Sequence, residues 1–356
     1  MLQHRLYAGV FIGYDIYEML KTASVSGHEI ALQKKVIQHM NKHCDEILTD
    51  ATGDVICALN PQAKPRVLLC GHIDEIGFLV THITENGMLK VTKAGGIHPI
   101  LYLGTHVQVI CASKILPGVV VTNSELENKE QVKAEDLFID LGFDSREACE
   151  KVVSIGDPVC AATDMVELAE GKLAGRALDD RIGAFIIMEA LKKAKEKQAA
   201  CAIFAAATCG EETTMRGAYH TACRVQPDCA LIVDVTFASD YPGVNADASG
   251  MVELGKGAVL CSNSMINKPL NKALATIARE CHLDVQWEVF AGKAGTDGDV
   301  VHFTNGGVPV ALISIPLRYM HSSIETACYR DLETIIELIS EFLVRFDASF
   351  SFDPFQ

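Results

Sequence analysis

Aromatic residues are scarce in this 356-residue chain: 6%, against 49% hydrophobic in total. Aliphatic side chains must therefore fill most of a core large enough for one or two domains. Positive charge is also short, with 31 Lys and Arg against 46 Asp and Glu and a formal net charge of -15. A nucleic-acid partner calls for a basic patch, and the sequence has none. An anionic membrane surface would repel the chain for the same reason. No apolar run approaches transmembrane length. No C-x-x-C pair, internal repeat or low-complexity tract occurs, and 13 cysteines, an odd number, do not make a disulfide framework. They read as small buried hydrophobes in a reducing compartment. Met1 to Tyr14 is mildly apolar, but it lacks a small-residue cleavage site and soon meets Asp15, so it does not read as a signal peptide. The class left standing is a cytoplasmic enzyme.

What is present has the texture of an α/β protein. Tyr14 to Thr22 has helical spacing, and Ser26 with Glu29 makes a capping-box pattern that predicts a helix start at Ser26. Val67 to Cys70, Cys201 to Thr208, Ala230 to Val235 and Val310 to Ile315 are continuous apolar runs, expected as strands covered on both faces. Helical periodicity through Ile182, Phe185 and Ile186, from Asn271 to Cys281 and from Arg330 to Phe346 alternates with them. The expected fold is α/β: a mixed sheet layered by helices.

Between residues 77 and 167 the pattern changes. Phe78 to Thr84 and Met88 to Lys93 flank Asn86-Gly87, a hairpin signal. His106 to Cys111 and Val119 to Thr122 flank Pro117-Gly118, read as another turn, and a helix is expected from Ser145. This division gives residues 1–76 and 168–356 to one catalytic domain and residues 77–167 to a small, mostly β insertion.

The chemistry-bearing residues collect where the strands end. His72 and Asp74 follow Val67–Cys70, Glu211 and Glu212 follow Cys201–Thr208, Asp234 sits at the end of its strand, and His321 follows Val310–Ile315. Open α/β sheets bind ligands beyond the carboxyl ends of their strands. Asp179-Asp180-Arg181, just before a helix, adds a fifth contribution. Taken singly, Asp179-Asp180 is an ordinary helix cap and Glu211-Glu212 an ordinary solvated pair. Asp234, set among Leu231, Ile232, Val233 and Val235, is harder to explain, because an unpaired charge there is costly. Together the five point to a metal site.

In order, Gly71-His72-Ile73-Asp74-Glu75-Ile76-Gly77, Ala177-Leu178-Asp179-Asp180-Arg181-Ile182-Gly183, Glu211-Glu212 with Arg216-Gly217-Ala218, Val233-Asp234-Val235-Thr236, Gly295-Thr296-Asp297 and Arg318-Tyr319-Met320-His321-Ser322 resemble the M42 family of metallopeptidases, the glutamyl and deblocking aminopeptidase group. The resemblance spans roughly Tyr14 to Phe346. It implies that His72 and Asp234 hold one divalent ion and Glu212 and His321 another, with Asp179 bridging them. It also implies a cis peptide between Asp179 and Asp180, an Asp74 that orients His72 through its second ring nitrogen, and Glu211 as general base. The chain departs from the family pattern at Gly210, Thr213-Thr214-Met215, Gly298 and Ser323. These bear on the shape of the substrate pocket and remove neither ligand nor base.

The activity so implied is dinuclear aminopeptidase chemistry on short peptides. Two metals activate a water held between them and polarise the carbonyl, and Glu211 moves the proton. Zinc suits a mixed His/carboxylate set, and cobalt or manganese can replace it. Another metal-dependent amide hydrolase, deblocking or deacylating, is the alternative. A glycosidase with paired carboxylates would not need His72, His321 and a bridging aspartate, and an inactive scaffold would be expected to have lost Glu211 or a ligand. The resemblance further implies that the β insertion mediates subunit contacts in a homo-oligomer, a tetrahedral dodecamer.

Overall fold

Strand Arg66–His72 has aliphatic residues on both faces, and it is stable only where both are covered. The computed structural model, which describes residues 14–247 and 250–355, puts this strand inside an eight-stranded mixed sheet. The sheet order is Glu46–Thr49, Val55–Leu59, Ala202–Thr208, Arg66–His72, Cys229–Phe237, Val310–Leu317, Ala258–Ser262 and Val285–Val289. The four central strands from Ala202–Thr208 to Val310–Leu317 run parallel, so their carboxyl ends share one edge. Val67 and Leu69 join an apolar layer with helices Ile30–Met40, Leu178–Glu196, Lys268–Glu280 and Tyr329–Arg345. Leu68 and Cys70 point the other way, onto helix Arg216–Val225. Two-residue alternation along one strand thus builds both layers of the domain.

The chain leaves this sheet after His72 and forms a closed six-stranded barrel from Gly77–Ile83, Leu89–Ala94, His106–Ile110, Ile115–Val120, Ile139–Asp140 and Pro158–Ala161. The Asn86-Gly87 hairpin is present, with Gly87 at φ +80° in the left-handed region its turn requires. Ser145 caps helix Arg146–Glu150 through the Ala148 N–H. The chain returns through a three-stranded sheet of Val166–Glu167, Lys172–Gly175 and Glu325–Cys328. Where it rejoins, a fully buried Arg181 pairs with Glu75 and donates to the carbonyls of Met19 and Leu20, tying helix Tyr14–Lys21 to the site's rear wall. No helix among the described residues is long and apolar enough to cross a membrane.

Two local expectations fail. The helix expected from Ser26 begins at Ile30 instead, with no side-chain cap. The Ser26 hydroxyl bonds with that of Thr213, a long-range partner, and the Glu29 carboxylate takes the Gly27 N–H two residues back, so neither side chain makes the capping box. Pro117-Gly118 is not a turn but lies inside strand Ile115–Val120, opposite Gln108 and Val107. The reversal occurs at residues 111–114, closed by Cys111 N–H to the Lys114 carbonyl. Gly118 packs closely there: a Cβ would stand 2.6 Å from Leu141 Cδ2. The expected absence of a signal peptide falls mainly on residues 1–13, outside the described residues.

Candidate metal centre

The parallel register fixes the first two side chains. Thr208 pairs with His72, and Asp234 lies two residues beyond Ile232 just as His72 lies two beyond Cys70, its partner. Asp179 enters at the start of helix Leu178–Glu196, where Asp179 and Asp180 are non-helical and their peptide is cis. Its carboxylate divides between two imidazoles: Oδ1 lies 3.1 Å from His72 Nε2, and Oδ2 lies 3.2 Å from His321 Nε2. Asp234 Oδ1 stands 4.0 Å from His72 Nε2, and Glu212 Oε2 stands 3.6 Å from His321 Nε2. Two groups of ligand atoms result, His72–Asp179–Asp234 and Asp179–Glu212–His321, each within 4.8 Å internally.

The surroundings orient these donors. His72 Nδ1 faces the Asp74 backbone carbonyl at 3.2 Å, with the Asp74 carboxylate at 3.5 Å, which leaves Nε2 free to ligate. The Asp74 carboxylate has a second task. It accepts the backbone N–H of Glu211 at 3.0 Å and of Glu212 at 3.2 Å, fixing the turn after Thr208. Glu325 does the same on the opposite side, accepting the N–H of Asp179 at 3.1 Å and of His321 at 3.0 Å. His321 has φ +61°, a conformation such a bond helps to hold. The barrel also reaches the site here. A Cβ on residue 96 would stand 2.4 Å from His321 Nδ1.

The electrostatics call for cations. Burial and neighbouring carboxylates push Glu211, Glu212, Asp234 and Asp180 well above the ordinary carboxylate range. Burial also lifts Asp297 to about 7. Asp179 goes the other way: against its burial, hydrogen bonds from His321 and His72 hold it below its usual value. Those same bonds help raise both histidines despite burial. Glu211 Oε1, Glu212 Oε1 and both Asp180 oxygens are buried with no hydrogen-bond partner among the described residues. Unsatisfied buried carboxylates beside imidazole nitrogens are a donor set suited to divalent metal ions.

All seven side chains singled out in the sequence, His72, Asp74, Asp179, Glu211, Glu212, Asp234 and His321, converge here. Glu211 Oε2 lies 3.7 Å from His72 Nε2 and faces a cavity of about 550 Å³. Met215, one of the residues departing from the family pattern, lines that cavity. Gly298, another, makes room for Met265: a Cβ there would lie 2.9 Å from Met265 Cε. Sequence reading missed Glu325 and Glu288. Glu325 stands in Ile324-Glu325-Thr326-Ala327-Cys328, a charge inside a strand-like run, the same signal that marks Asp234.

Comparison with known proteins places the chain in a family. The profile of the M42 glutamyl aminopeptidases matches residues 53–338. A lysyl aminopeptidase of Pyrococcus furiosus is 30% identical over 334 residues, covering 92% of this chain and 95% of the relative. The TET aminopeptidase of a marine-sediment Thaumarchaeota archaeon superposes with TM-score 0.89 at 30% identity, over 94% of this chain and 96% of that one. The Pyrococcus horikoshii TET1 peptidase, which assembles into a tetrahedron or a large octahedral shell, gives TM-score 0.84 at 28% identity over 93% and 99%. The chain belongs to the M42 glutamyl aminopeptidase family and is a metal-dependent aminopeptidase.

Proposed function

We propose that this aminopeptidase removes N-terminal residues from short peptides using two divalent metal ions. His72 and Asp234 would hold one, Glu212 and His321 the other, and Asp179 both. The observation that carries this reading is the division of Asp179 between the two histidines, one carboxylate oxygen to each. When bound, such a pair of cations acidifies water and polarises the scissile carbonyl. Zinc is the first candidate, with cobalt and manganese as replacements.

Glu211 acts as the base, taking the proton of the attacking water and delivering it to the leaving amine. Its burial raises the affinity of the carboxylate for that proton. Asp74 keeps Glu211 and Glu212 in separate roles by holding both backbone amides of their turn. The preferred N-terminal residue does not follow from membership of the family. The test of exopeptidase action is N-acetylation of a good peptide substrate, which should slow cleavage strongly. Equal rates on blocked and free peptides would favour a deblocking enzyme.

We further infer that residues 77–167 form an insertion lying at a subunit interface of a cytoplasmic homo-oligomer, twelve subunits in a tetrahedral shell. Exposed apolar residues on this segment, Ile100, Leu101, Ile115 and Ile155, support the reading, as does the shell assembled by the TET1 relative. Light scattering on the purified protein tests it. A monomeric mass across the micromolar range, with full activity, would rule out the assembly and leave the chemistry standing.

A further inference from the structure

The cavity in front of Asp179, Glu211 and His321 has one buried carboxylate that the chemistry above does not use. Glu288, on the edge strand Val285–Val289, lines it and is only 4% exposed. Its Oε2 accepts from the Thr236 hydroxyl and its Oε1 from the Ser314 hydroxyl, the latter at 2.7 Å. Hydroxyls satisfy the oxygens without neutralising the charge, and no Lys, Arg or His among the described residues pairs with it. The other charged group in the lining outside the metal-capable set is Lys293, exposed on the loop at residues 292–295.

The sheet register places this carboxylate relative to the reacting centre. Thr236 follows Asp234 by two residues on one strand, so their side chains share a face roughly 6.5–7 Å apart along it. Ser314 is the register partner of Asp234 on the neighbouring parallel strand and points to the same side. Glu288 is on the edge strand, three strands from Asp234 in the sheet, but its carboxylate reaches back to Thr236 and Ser314 and so lies about one such two-residue repeat along the same face from Asp234. A peptide whose first amide bond lies at Glu211 and Asp179 has its N-terminal residue in this cavity. The long side chain of a lysine or arginine can cross that repeat, and its cation would supply the missing counter-charge through a charge-assisted hydrogen bond.

We propose that Glu288 is a specificity-determining residue that selects peptides beginning with lysine or arginine. This rests on the aminopeptidase reading above. The test is kcat/KM on the Lys, Arg, Leu and Glu anilides, for the metal-loaded wild type and for Glu288→Gln. The wild type should favour the Lys and Arg anilides, and in Glu288→Gln the Lys-to-Leu ratio should fall about tenfold or more. A uniform fall on all four anilides would mean that Glu288 binds the α-amine or only supports the fold, and would overturn the selection. A wild type that prefers Leu or Glu would also overturn it, leaving the aminopeptidase reading intact. No hydrolysis of any anilide would remove that reading and this inference with it. One arm needs no variant: lysinamide should inhibit the wild type about tenfold more tightly than norleucinamide, which lacks only the ammonium group. Equal inhibition by the two would sink the proposal.

Discussion

The barrel and the carboxyl edge of the main sheet bury their residues in opposite ways. From residue 77 to 161 no charged side chain is buried, and the barrel interior is filled by Phe78, Val80, Leu89, Tyr102, Val107, Ile139 and their apolar neighbours. At the sheet edge, His72, Asp74, Asp179, Asp180, Glu211, Asp234, Asp297 and Glu325 are all buried within one site. The barrel interior is complete as it stands, since burial of its side chains is favourable without any further partner. The sheet edge is complete only with added positive charge, because burying carboxylates without partners is costly. The contrast separates a region built for stability from one built to bind.

The sharpest way to break the contrast is to remove its centre. Asp179→Ala should abolish turnover and lower metal content, since both ligand groups lose their shared member. Wild-type turnover with full metal content, by elemental analysis, would end the assignment. Next come the adjacent glutamates. Glu211→Gln should keep its metal and lose on the order of 10²-fold or more in kcat, whereas Glu212→Gln should lose metal affinity first. The reverse pattern would exchange the two roles.

Stability should sort the two regions as well. Leu89→Ala, in the barrel, should destabilise the protein by about 2–5 kcal/mol with or without metal. Stripping the metal should leave the barrel's contribution unchanged and make the rest depend on pH. Glu211, Glu212 and Asp234 bind protons more tightly folded than unfolded, so the folded state holds extra protons between their ordinary and raised values. Stability of the metal-free protein should therefore fall as pH rises through that window, and saturating metal should flatten the slope. Parallel melting curves in both forms would contradict this. The smallest expected effect lies where the regions touch. Gly96→Ala should push against the His321 ring and weaken metal binding several-fold while the fold survives, as circular dichroism alongside a metal titration would record.

The sequence made much of this legible, for identifiable reasons. Val67–Cys70 and Cys201–Thr208 read as strands because continuous apolar runs have few alternatives, and their ends then located His72, Glu211 and Glu212. The short outer strands Glu46–Thr49 and Val285–Val289 carry no such run, so Glu288 went unseen: its hydroxyl partners come from two other strands. Ser26 misled for the converse reason, since a local pattern gave way to Thr213, far along the chain. Pro117-Gly118 misled because a glycine packed against Leu141 inside a strand looks, in one dimension, like a glycine in a turn.

Asp74 and Glu325 stand behind the residues proposed to hold metal. Each accepts two backbone amides, and between them they fix Glu211, Glu212, Asp179 and His321 from behind. The conformational entropy of these segments is thus lost when the chain folds and need not be lost again when an ion arrives. Loading becomes a question of how quickly an ion finds a waiting cradle, and exchange of one metal for another can proceed without remaking the loops.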